Sequence, residues 1–191
     1  EEVVTIAGAA KELGVQIVVT NPSPIRWGGP EDKDDDQLRF QAKTLDRLGA
    51  KLRDLGVTLA YHNHDAELRQ GGREFHHMLT ATDPEHVKLC FDAHWVFRGC
   101  GDSEVAVFDA LSHYYRRVVE LHLRQSDGGV WNESFQTSGD IDYAKLFAFL
   151  AEREIQPNLV LEQAVEENST RDRSAVEAHR VSYQNLQRSL A

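Results

Sequence analysis

VKLCFDAHW, residues 87–95, is an apolar, strand-like run that ends on an acid, Asp92, and three other stretches repeat that pattern. LAYHNHDAEL, 59–68, ends on His62 and His64; VVELHLRQ, 118–125, carries His122; NLVLEQA, 158–164, carries Glu162. The spacings from His62 to Asp92 and from Asp92 to His122 are 30 residues each, and from His122 to Glu162 40. Each interval holds a strand, a helix and two loops, so a βαβ repeat brings all four side chains to one end of one sheet. Ligands of α/β sheets bind at the carboxyl ends of the strands, and four metal-ligating residue types arriving there in succession point to one composite metal site.

Outward from these strands the chain reads as alternating helices and strands. Residues 1–13 form a helix stopped by Gly14, then the β-branched run 15–20 and a Pro/Gly loop containing Trp27, which stacks on a ligand or anchors its loop. Residues 34–55 form a long helix on the stripe Leu38, Ala42, Leu45, Leu48 and Leu52, with the acidic run 31–36 at its positive end and Gly56 after it. Further helices fit 73–80, 103–117, 143–154 and 174–190. No linker or composition break marks a second domain, so residues 1–191 are expected to form one α/β domain. Curvature decides between an open sheet and a (β/α)₈ TIM barrel, because four consecutive strands converge their ligands only when they curve around an axis. Five strands do not close such a barrel, and roughly three β-α units are expected ahead of Glu1. Taken alone, the open edges would favour association into a homo-oligomer.

Composition narrows the function. The 191 residues are 41% hydrophobic and 27% charged, enough for a sizeable core. A formal charge of −10 opposes nucleic-acid binding, and no apolar stretch is long enough for a membrane span. Cys90 and Cys100 make no CxxC pair, which suggests a reducing, cytoplasmic setting. A small-molecule partner is expected.

The order YHNHDAEL, LCFDAHW, RRVVELHLRQ, SGDIDY and LVLEQ resembles the carboxyl-terminal two-thirds of the xylose-isomerase-like TIM barrels, the group of sugar phosphate isomerases and epimerases. The resemblance implies a divalent ion, commonly manganese, cobalt, magnesium or zinc, held by Asp92, His122 and Glu162, with His62 where many relatives have Glu. That His resembles the inosose-dehydratase-like branch and leaves His62, His64 and Glu67 as alternatives for the first ligand. Where relatives read HLKD this chain has His122-Leu123-Arg124-Gln125, which puts a permanently charged fork at Arg124 in place of lysine. His94 stands two residues after Asp92 and Trp95 three, where relatives carry His, so one of the two faces the sugar.

The residues by themselves support compatible chemistry. Two His, one Asp and one Glu make a site suited to manganese, zinc, cobalt or iron, without the thiolates of a structural zinc. A metal there polarises the carbonyl and hydroxyl of a sugar or keto-sugar, stabilises an enediolate and eases proton removal beside the carbonyl. Glu162 or Glu67 moves the proton; His64, one of His94 and Trp95, and Arg124 are the candidate substrate contacts, with loop structure the competitor for His64. Together with the resemblance, this makes isomerase or epimerase the leading expectation, with manganese favoured; a sugar dehydratase or a non-catalytic sugar-binding barrel is the alternative. For each single residue the plain competitor is a helix cap or loop hydrogen bond.

Overall fold

The computed structural model describes residues 1–163 and 165–190. Its helices are α1 (Glu2–Glu12), α2 (Asp35–Asp54), α3 (Asp65–Thr80), α4 (Ala93–Gly99), α5 (Glu104–Tyr114), α6 (Tyr143–Ala151) and α7 (Ala175–Ser189). The strands are β1 (Ile17–Thr20), β2 (Thr58–His62), β3 (Val87–Asp92), β4 (Val118–Leu123), β5 (Ser126–Asp127), β6 (Val130–Trp131) and β7 (Asn158–Leu161). A parallel sheet runs in the order β1-β2-β3-β4-β7 and forms part of a barrel wall. β5 and β6 form a separate antiparallel hairpin between β4 and α6.

Local chemistry explains the main elements. Asp34 accepts from the Gln37 amide at 2.8 Å while Gln37 answers the Asp34 amide, a capping box at the end of the acidic run. From there Leu38, Ala42, Leu45, Gly49 and Leu52 bury one stripe of α2. In the strands side chains alternate between faces. Leu59, Tyr61, Leu89, Phe91, Leu121 and Leu123 join the hydrophobic core with residues of the helices, including Phe75, Met78, Leu111 and Leu146. Residues one position on, His62, Cys90, Asp92 and His122, take the other face, and the registers His62↔Cys90 and Asp92↔His122 set them side by side.

Four elements depart from the sequence expectation. α3 starts at Asp65 instead of 73, with a non-helical break at Arg69–Gly72 where Gln70, Gly71 and Gly72 take positive φ. α4 follows β3 directly, because the Asp92 carboxylate caps it. The 103–117 helix ends at Tyr114 and continues as a 3₁₀ turn, Tyr115–Arg117. The β5–β6 hairpin is too short for a periodicity signal to reveal.

Candidate metal centre

Three of the four expected ligands converge. Asp92 at the end of β3, His122 in β4 and Glu162 just after β7 offer donor atoms that all lie within 4.8 Å of one another. Parallel pairing makes this possible: His122 pairs with Asp92 on one side and Val160 on the other, and the Glu162 amide donates to Leu123 O at 3.0 Å. His122 Nδ1 is buried and lies 3.1 Å from Glu162 Oε1, out of line for a hydrogen bond, with no other partner among the described residues. A ring nitrogen left bare beside two carboxylates fits a metal donor.

His62 stands one step away. Its ring centroid is 4.4 Å from that of His122, and it belongs to a second donor group with Cys90 and His122. Cys90, which the sequence reading took only as a cysteine outside any CxxC pair, puts Sγ 3.7 Å from His62 Nδ1; its signal was its place two residues before Asp92, on the same strand face. Glu120, also passed over, accepts from Cys90 Sγ at 3.5 Å.

Arg124 supplies the opposing charge. Its guanidinium bridges Asp92 Oδ2 at 2.7 Å and the Glu162 carboxylate. Trp95 and Trp131 flank it at 5.1 and 5.4 Å. Burial by itself raises a carboxyl; at Glu162 the His122 ring and the Arg124 guanidinium outweigh it and bring the group down to about 2. Asp92, fully buried, stays above its ordinary range because desolvation outweighs Arg124. Burial and the neighbouring rings of His122 and His64 bring His62 down to about 3, which keeps it a neutral imidazole at neutral pH.

Two expected site residues are turned elsewhere. Glu67 is 1% exposed and accepts from the His64 amide at 2.7 Å, so its carboxyl caps α3 instead of reaching substrate. Among the helices, burial pushes it up to about 7. His94 is fully buried with both ring nitrogens engaged: Trp131 Nε1 donates to Nδ1 at 3.1 Å, and Nε2 lies 2.8 Å from Ser126 Oγ. Ser126 in turn donates to Asp140 at 2.6 Å, so this chain of bonds fastens the β5–β6 hairpin and leaves Trp95 as the residue beside the charged cluster. Gly139 lets the loop carrying Asp140 approach, since a Cβ there would meet Ser126 O at 2.5 Å. Asp142 caps α6, the plain turn-and-cap role.

His64 sits at the rim. Its ring is 4.6 Å from His62, 5.6 Å from Trp95 and 5.4 Å from Trp27. Trp27 is 58% exposed, so it extends the aromatic rim and does not anchor its loop by burial.

Comparison with known proteins agrees with this architecture. Inosose dehydratase of Lacticaseibacillus casei is 29% identical over 136 residues, which is 62% of this chain and 44% of that protein. The chain spans about half the length of the curated relatives it matches. A sugar phosphate isomerase/epimerase from Parabacteroides distasonis superposes with a TM-score of 0.72 at 20% identity, over 98% of this chain and 65% of that one. The IolI protein, whose crystal structure has a bound zinc atom, gives 0.73 at 16% identity, over 99% and 68%. These likenesses concern the fold. The profile of one family runs through residues 1–184, nearly the whole sequence. The chain belongs to the xylose isomerase-like TIM barrel family.

Proposed function

We propose that this chain carries the metal-binding side of an enzyme that moves a proton beside the carbonyl of a sugar or keto-sugar, as an isomerase or epimerase. The observation that carries the reading is the convergence of Asp92, His122 and Glu162 at the carboxyl ends of three neighbouring strands, with His122 Nδ1 bare among them. Those three residues would hold a divalent ion, and His62 at the adjoining edge is the fourth donor. Two carboxylates and two imidazoles suit manganese or zinc, and manganese is the ion we expect. A divalent ion supplies Lewis acidity toward vicinal carbonyl and hydroxyl oxygens.

The surrounding side chains divide the remaining work. Arg124 neutralises Asp92 and Glu162 in the metal-free protein and must give way for a cation, while the flanking indoles offer it a stacking place. Displaced, it faces the negative charge that develops when a carbon beside a carbonyl loses its proton. Glu162, about one-third exposed at the rim, is the carboxylate placed to move that proton. Trp95 and His64 shape the wall on which a sugar face packs.

A dehydratase is the second reading, favoured by the curated relatives named inosose dehydratase. It shares the proton abstraction and differs in the loss of a β-hydroxyl. The test is metal content and affinity of the purified protein beside Asp92→Asn and Glu162→Gln, followed by solvent deuterium exchange into keto-sugars. About one ion in the parent, lost in both folded variants, together with exchange, supports the reading. Absence of metal in the parent, or its retention in both variants, sinks it. Water loss coupled to exchange selects the dehydratase.

A further inference from the structure

β4 carries a carboxylate where the sheet's inner face gives it little solvent. Glu120, on the same face as His122 and two residues before it, is buried. An unpaired charge at such a place is costly, so its partners reveal what retains it. Glu120 Oε1 accepts from Cys90 Sγ at 3.5 Å and faces His122 Nε2 at 3.3 Å. The other nitrogen of the same ring, Nδ1, is the bare donor 3.1 Å from Glu162 Oε1. One imidazole therefore has a carboxylate at each edge, and the two edges are not equivalent: among the described residues Nε2 has an acceptor in line with it, whereas the Glu162 oxygen, though nearer, lies out of line with Nδ1.

We infer that Glu120 is a positioning residue that fixes the tautomer of His122. By accepting Nε2–H it leaves the lone pair on Nδ1, the nitrogen beside Glu162 Oε1. This rests on the reading of those residues as a metal centre. A neutral imidazole has one donor nitrogen and one acceptor nitrogen, and the acceptor of the ring proton decides which is which. A carboxylate behind a ligating histidine also holds the ring plane and raises its basicity, and loss of such a partner typically lowers metal affinity about 10–100-fold. Cys90, donating to the same oxygen, holds Glu120 against β3.

The experiment uses Glu120→Leu, which removes the acceptor, and Glu120→Gln, which keeps an oxygen acceptor without the charge. Nitrogen-15 NMR of the metal-free protein at alkaline pH, with His122 signals assigned through His122→Asn, reads the tautomer directly. We expect the Nε2–H form in the parent and in Glu120→Gln, and a mixed or Nδ1–H population in Glu120→Leu. Manganese affinity is expected to fall about 10–100-fold in Glu120→Leu and less in Glu120→Gln, with both variants folded by circular dichroism. A merely structural role would lower the melting temperature and leave the tautomer unchanged. An Nδ1–H ring in the parent, or parental tautomer and affinity in both variants, overturns the inference. Abolition of binding in Glu120→Gln to the degree seen in Asp92→Asn would make Glu120 itself a ligand, which also overturns it. If the parent binds no metal, the metal-centre reading fails while the NMR result still decides whether Glu120 sets the ring proton. If the parent binds metal and Asp92→Asn loses it while the Glu120 variants do not, only the present inference fails.

Discussion

Tyr61 and His62, Phe91 and Asp92, Leu121 and His122 are neighbours in the chain and occupy opposite faces of one sheet. The first of each pair enters the core against the helices. The second enters a cluster of imidazoles, carboxylates and one guanidinium. Both faces are largely buried, the second opening only toward the rim at His122 and Glu162, so what chiefly differs is whether a polar group finds partners. Two carboxyls make the contrast plain. Glu162, beside His122 and Arg124, is brought down to about 2, whereas Glu67, among the helices, is pushed up to about 7. A carboxyl with cationic neighbours is held charged and one without a close cation is held neutral, and the proposed metal site lies on the first of these two sides.

The strongest way to break that separation is to compare adjacent substitutions on β3. Phe91→Ala opens a cavity in the fully buried outer face and is expected to cost about 3–5 kcal/mol in denaturant unfolding. Asp92→Asn keeps a side-chain oxygen to cap α4, and should abolish metal binding with a much smaller loss of stability. If both variants unfold alike, or both bind metal alike, the division of labour between the faces is wrong.

A titration sharpens the comparison further. Glu67 has a folded-state value above its ordinary one, so the native protein binds its proton more tightly than the unfolded chain does. Its contribution is complete below the ordinary range near 4.5 and is lost as pH rises through about 7. Glu67→Gln keeps a side-chain oxygen for the His64 amide and cannot ionise. The variant should therefore gain stability relative to the parent between those limits, by up to about 3 kcal/mol, and differ by a constant amount above them. Thermal melts across pH check this; a gap that widens toward acid would refute it.

The smallest effect belongs to Tyr61, whose hydroxyl is buried on the outer face without a hydrogen-bond partner among the described residues. Tyr61→Phe is expected to be neutral or stabilising by up to about 1 kcal/mol, because an unsatisfied polar atom is removed and the ring stays. A loss of more than about 1 kcal/mol would mean that the outer face depends on that hydroxyl.

How much of this was legible varies by residue. Asp92, His122 and Glu162 stood out because parallel strands place successive ends at one rim, and spacing in the chain reports strand succession. Glu67 and His94 were equally plausible by residue type. The sequence does not say that a carboxyl three residues into a helix turns back onto its own cap, or that a histidine two residues past a strand is held from both ring edges. Cys90 was read only as an unpaired cysteine and Glu120 went unnoticed, because a single polar residue inside an apolar run looks the same whether it is buried among partners or tolerated at an edge.

Hydrophobic alternation, helix caps and the regular spacing of ligand types were enough by themselves to determine the β-α repeat, the barrel-type sheet and the rim where chemistry gathers, because each depends on local periodicity and strand order. Only the tertiary structure decided which side chains meet there: Arg124 between Asp92 and Glu162, His62 against His122, and Glu120 behind the ring. Those contacts join residues that are close across strands and distant along the chain. Distances of a few ångströms set by register, rotamer and burial are what separate a ligand from a cap.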